Sequence, residues 1–111
     1  MKATIYHNPR CSKSREALEL LKETAADVTI VEYLKTAPSR DELARLYAKG
    51  GMSPRDGLRR SEPGAKALKD ASDAAILDAM ASDPILIERP LVETEKGVRL
   101  GRPPEAIREI L

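Results

Sequence analysis

Two short β-branched runs, Ala3-Thr4-Ile5-Tyr6 and Val28-Thr29-Ile30-Val31-Glu32-Tyr33-Leu34, flank a segment of helical period, and nothing else in the chain constrains its fold as strongly. His7-Asn8-Pro9 reads as the turn that closes the first strand. Ser12 is placed to cap a helix reaching about Thr24, with Ala17, Leu18 and Leu21 on one face and Leu20 at its margin. Two strands joined by one helix are expected to lie parallel through a right-handed crossover, because a twisted strand feeding a right-handed helix packs back on its sheet only that way.

The middle of the chain reads as helices. Ala37-Pro38-Ser39 breaks the second strand, and Ser39-Arg40-Asp41-Glu42 is a capping-box pattern for a helix to about Lys49, ended by Gly50-Gly51. Ser53-Pro54 starts a short helix, Glu62 to Asp70 a further weak one, and Ser72-Asp73 another with Ala75, Ile76, Ala79 and Met80 on one face. Pro84-Ile85-Leu86-Ile87 leads to Arg89-Pro90. Leu91–Thr94 and Val98–Leu100 read as strands joined by the turn Glu95-Lys96-Gly97, and Pro103-Pro104-Glu105 begins a last helix to Leu111. The expected fold is α/β: a four-stranded mixed β-sheet flanked by helices, with a helical insertion over about residues 39–83 between strands two and three. With 111 residues, a single domain spanning 1–111 is expected.

Composition narrows the function. Lys and Arg total 19 against 18 Asp and Glu, and Trp and Phe are absent, so no nucleic-acid partner is expected. The single cysteine, Cys11, excludes an intramolecular disulfide and a multi-cysteine zinc site, and His7 is the single histidine, so no metal site is expected. No apolar run approaches membrane-spanning length, and the N-terminus lacks the apolar core of a signal peptide, so the expected compartment is the cytoplasm with no membrane partner.

Cys11 is the most informative position. It stands after strand one and its loop, immediately before a helix, where unpaired N–H groups and the helix dipole favour thiolate and should lower the pKa below the free value of ~8.5. Arg10, Lys13 and Arg15 add positive potential nearby in sequence. The bland alternative is a small buried apolar residue. Position 14 is Ser, so Cys11-Ser12-Lys13-Ser14 is no dithiol, and a disulfide cycle must borrow an external thiol. Cys-x5-Arg is also missing: Ala17 is six residues on and Arg15 only four.

An oxyanion at Cys11 would therefore need guanidinium groups from elsewhere, whose planar forks match a tetrahedral anion. Arg59, Arg60, Arg89 and Arg102 are the candidates; the first two read equally as solvent-facing. Arg89 and Arg102 each precede a proline, which holds them extended and aims their side chains. Pro90 is either a cis turn toward the Cys11 loop or an ordinary strand-start proline. His7 is either a hydrogen-bond partner that helps hold the thiolate or a strand-end histidine satisfied by backbone. Asn8 can bond its own loop, and Ser14 can donate to the sulfur or bond back to helix carbonyls.

Thr4-Ile5-Tyr6-His7-Asn8-Pro9-Arg10-Cys11-Ser12-Lys13-Ser14-Arg15 resembles the opening of the glutathione/glutaredoxin-dependent arsenate reductases. Ser39-Arg40-Asp41-Glu42-Leu43, Pro84-Ile85-Leu86-Ile87-Glu88-Arg89-Pro90-Leu91-Val92 and Arg99-Leu100-Gly101-Arg102-Pro103 resemble its later blocks in order. The resemblance implies a thioredoxin-like fold related to Spx-type proteins, which usually carry Cys-x-x-Cys where this chain has Ser14. It implies Cys11 as the nucleophile toward arsenate and His7 as the family's histidine near the thiolate. Arg59, Arg89 and Arg102 would be the oxyanion-binding arginines, Arg59 being preferred to Arg60 by alignment through Gly51-Met52-Ser53 and Leu58. It implies glutathione as co-substrate, glutaredoxin as the protein that resolves the mixed disulfide, and no tightly bound cofactor. The competing readings are a glutathione-dependent thiol reductase without arsenate activity and a non-enzymatic adaptor of the same fold.

Overall fold

The computed structural model describes residues 1–25 and 27–111. They form two compact units, one made of Met1–Thr36 with Arg89–Leu111 and the other of Ala37–Glu88. The first unit carries the sheet. Strand β1 (Lys2–His7) leads to helix α1 (Ser12–Thr24) and strand β2 (Asp27–Glu32), and the two strands pair in parallel with Tyr6 opposite Val31 and His7 opposite Glu32. The unit's remaining strands, Leu91–Thr94 and Gly97–Leu100, form an antiparallel hairpin, the first lying antiparallel to β1. The strand order across the four-stranded mixed sheet is second, first, third, fourth. A 3-10 helix over Pro104–Ile110 closes the chain.

The helix α1 buries Ala17, Leu18 and Leu21, as its period requires, against Ala3, Ile5, Val92, Ile107 and Ile110. Its N-cap is Cys11, not Ser12: the Cys11 backbone is extended and its carbonyl accepts the Arg15 N–H at 3.0 Å. Strand β2 stops at Glu32, two residues before the end read from sequence, because the Lys35 and Thr36 N–H groups both fold back onto the Glu32 carbonyl at 2.9 Å. Tyr33 and Leu34 thus belong to a turn, although their residue types suit a strand.

The second unit is helical and contains the expected insertion. Helix α2 (Arg40–Lys49) is capped by Ser39, whose Oγ accepts the Glu42 N–H at 3.1 Å, and Gly51 turns the chain at φ 67°. Ser53 and Asp56 form a reciprocal capping box on the 3-10 turn Pro54–Gly57. A second 3-10 helix, Pro63–Leu68, precedes helix α3 (Asp73–Ser82). Helix α3 buries Ile76, Leu77 and Met80; Ala75, expected on that face, is exposed. The Arg55 guanidinium gathers the carbonyls of Leu68, Lys69 and Ala71, which fixes the end of the Pro63–Leu68 segment. A further 3-10 turn, Pro84–Leu86, leads to a short antiparallel pairing of Leu58 with Ile87. The Arg59 N–H donates to the Leu86 carbonyl at 2.8 Å and the Glu88 N–H to the Gly57 carbonyl at 2.7 Å, so the backbone is held on both sides of Leu58, up to Arg59.

Candidate active site

The loop between β1 and α1 is tied by its own residues. Asn8 Oδ1 accepts the Arg10 N–H and the Asn8 carbonyl accepts the Cys11 N–H, both at 3.0 Å. Arg15 Nη1 reaches back to the Pro9 carbonyl at 2.8 Å. These bonds present Cys11 at the helix start, outside the apolar cluster under α1.

Burial raises the Cys11 pKa, but the opposing influences win and the thiol titrates below its ordinary value. The Ser14 amide, the Arg89 charge, the Lys13 amide and the Arg102 side chain all favour the anion. Among the described residues no N–H closes a full cap hydrogen bond on the sulfur, yet the Ser14 and Lys13 amides still stabilise its anionic form. Arg102 Nη1 stands 3.8 Å from Cys11 Sγ and donates to the Arg89 carbonyl at 3.3 Å. The cations that act on the sulfur are therefore the distant Arg89 and Arg102, and the adjacent Arg15 is spent on the loop. Both Arg-Pro bonds, Arg89–Pro90 and Arg102–Pro103, are cis.

His7 and Ser14 meet each other rather than the sulfur. Ser14 Oγ lies 2.6 Å from His7 Nδ1 and accepts the Asn8 N–H at 3.0 Å, and all three residues are buried. Ser14 therefore neither donates to Cys11 nor bonds back along the helix through this hydroxyl. Burial lowers the His7 pKa, Glu32 raises it, Arg15 and Lys22 lower it, and the net direction is down. The neutral ring can accept the Ser14 hydroxyl hydrogen while Asn8 N–H fills an oxygen lone pair.

In the helical unit, Arg59 and Arg60 separate. The Arg59 side chain is 20% exposed, its buried Nε–H has no acceptor among the described residues, and its Nη1 is 3.5 Å from Glu62 Oε1. Arg60 is exposed.

The model of the ArsC family matches residues 6–110. The chain belongs to the ArsC family. An arsenate reductase of Escherichia coli (strain K12) is 45% identical over 97% of this chain and 79% of its own length. One of Rhizobium meliloti is 44% identical, over 100% of this chain and 82% of its own. Among solved structures, an arsenate reductase from Vibrio cholerae superposes with a TM-score of 0.93 at 46% identity, over 100% of this chain and 98% of that one. The four-stranded mixed sheet expected from the element order, and the thioredoxin-like fold that the resemblance implied, are thus the ArsC fold.

Among the described residues, this ArsC-family chain has no group of three His, Cys, Asp or Glu side chains able to hold a metal, and no helix long and apolar enough to cross a membrane. Two participants escaped the sequence reading. One is the Ser14–His7–Asn8 cluster as a unit, whose seven-residue spacing spans a strand, a loop and a helix and matches no single periodicity. The other is Glu62, read only as a helix start, whose three-residue spacing from Arg59 was a usable signal.

Proposed function

We propose that this protein reduces arsenate to arsenite through Cys11. The observation that carries the reading is a helix-capping sulfur held toward its anionic form with the Arg102 guanidinium 3.8 Å away. The Cys11 thiolate attacks arsenic, a thiol–arsenic bond forms, and an oxygen leaves as hydroxide or water. Arg89 and Arg102 stabilise the negative charge on the remaining oxygens. Arg59 is assigned to the same oxyanion by its place in the family's sequence pattern and by its unmet Nε–H. His7 acts through Ser14, holding the loop that presents the sulfur.

Glutathione then attacks the Cys11 sulfur. The sulfur–arsenic bond breaks with its electron pair left on arsenic, which leaves as arsenite, and a Cys11–glutathione disulfide forms. A glutaredoxin thiolate takes the glutathione and returns Cys11 as thiolate. Two thiols are oxidised to one disulfide for the two electrons that arsenic gains. The sequence holds no second cysteine to substitute for the external thiols. A cycle drawing on glutathione operates in a reducing compartment, the cytoplasm.

The test couples arsenate, glutathione, glutaredoxin and NADPH and follows NADPH loss. Turnover by the wild-type protein and none by Cys11→Ser is the expected result. Wild-type failure to turn over arsenate, with glutathione mixed-disulfide turnover intact, would replace this reading with a thiol reductase.

A further inference from the structure

We propose that Glu62 is a resident carboxylate that occupies Arg59 between turnovers and yields it to the oxyanion; this rests on Arg59 binding that anion. The pair lies within one unit and is half-made. At 3.5 Å, Arg59 Nη1 and Glu62 Oε1 attract one another but are too far apart for the ~2.7–2.9 Å fork of a tight arginine–carboxylate bond. Arg59 Nε–H is buried and finds no acceptor among the described residues. A guanidinium that is only 20% exposed and still has an unmet buried donor is built for an acceptor that arrives from outside.

Among the described residues, the Glu62 carboxylate has no other partner. It occupies the N-cap position of the Pro63–Leu68 3-10 helix, yet its carboxylate bonds none of that helix's N–H groups. Its backbone is fixed: the N–H donates to the Arg59 carbonyl at 3.1 Å, its own carbonyl accepts the Ala65 N–H at 3.0 Å, and Pro63 follows. The carboxylate therefore cannot travel far with the guanidinium. When Arg59 turns to a ligand, the pair is exchanged for a new one and is not extended into a three-body cluster.

The chemistry of the reaction gives this exchange a direction. Arsenate is anionic at neutral pH and reaches the doubly charged form, so it competes with a singly charged carboxylate for the guanidinium and is repelled by it. Arsenious acid is neutral at the same pH and makes no such claim. Reduction thus removes the competitor, and Glu62 retakes Arg59 as product forms. Glu62 is a positioning residue in this scheme: it touches Arg59 and sets the affinity of the site for any oxyanion.

Glu62→Gln keeps the side-chain volume and removes the charge, and Glu62→Ser places a favoured capping residue before Pro63, repeating the Ser53-Pro54 arrangement. Both variants should lower KM for arsenate by roughly twofold to fivefold, the range expected for a weak, partly screened ion pair, with kcat within twofold of wild type. The arsenate concentration that half-protects Cys11 from iodoacetamide should fall by the same factor, and sulfate should become a correspondingly better inhibitor. Unchanged KM and protection in both variants would overturn the proposal. A raised KM would also overturn it, by showing that Glu62 merely holds Arg59 in its productive position. A wild-type protein with no arsenate turnover would remove the proposed reaction, while a change in oxyanion protection in the two variants would still uphold the exchange.

Discussion

His7 Nδ1 and Ser14 Oγ stand 2.6 Å apart, and that contact joins the end of the first strand to the first turn of the helix that bears the nucleophile. The same oxygen accepts the Asn8 N–H, so a single fully buried hydroxyl serves two groups. Ser14→Ala should cost about 1–3 kcal/mol, because it leaves both partners buried and unsatisfied. The check is a urea melt of variant and wild type. A midpoint unchanged within error would mean that the loop holds itself through the Asn8 and Arg15 bonds alone.

Stability should carry the His7 titration. The folded protein holds this ring below the ordinary value of 6.5, with burial as the largest cause, so the unfolded chain takes up the proton first as the pH falls. The contribution is complete above about pH 6.5 and is lost as the pH drops through the folded-state value. Wild-type urea midpoints should therefore fall from pH 8 toward pH 5 more steeply than those of His7→Gln. Parallel slopes would remove His7 as their source.

Alkylation of Cys11 by iodoacetamide should show a pH midpoint below that of a free thiol, since the amides of Ser14 and Lys13, the charge of Arg89 and the hydrogen bond from Arg102 outweigh burial. Arg102→Ala and Arg89→Gln should each move the midpoint upward. At pH 7 the variants then alkylate more slowly than wild type. A wild-type midpoint at or above the free-thiol value would contradict the electrostatics of the site.

Gly101 is wedged where no side chain fits. A Cβ there would lie 2.8 Å from Pro90 Cγ and 3.4 Å from both Ala17 Cβ and Ile107 Cγ2, and the Gly101 N–H already donates to the Pro90 carbonyl at 2.8 Å. Gly101→Ala should destabilise by about 1–3 kcal/mol through overpacking. It should also lower kcat/KM, because Pro90 follows Arg89 and Gly101 precedes Arg102. Thermal melts and the coupled assay, read together, check this; full activity with full stability would show that the wedge relaxes freely.

The strand and helix pattern was legible because burial in each unit follows plain periodicities: Ala17, Leu18 and Leu21 on one helix, Ile5 and Val92 on facing strands. Ser39 and Ser53 announced their helices in the same way. The end of β2 was not legible, since Tyr33 and Leu34 have strand chemistry and only the doubled bond onto the Glu32 carbonyl takes them out of the sheet. Within the candidate site, the sulfur was legible from its place before a helix. The difference between Arg59 and Arg60 was not legible from residue type, because two adjacent arginines differ only in how the Leu58–Ile87 pairing turns them. Ser14 was expected to donate to the sulfur or to bond back along the helix; its contact with His7 could not be read from sequence, because it joins two elements whose relative placement no local pattern encodes.

Helix α1 has two duties at its two surfaces: its first residues set the charge on the sulfur, and Leu21 and Ala17 lock it into the interior. Reactivity is therefore tuned from a distance. A void opened beneath Leu21 lets the whole rod tilt, so damage deep in the protein should announce itself as a sluggish thiol well before the chain melts.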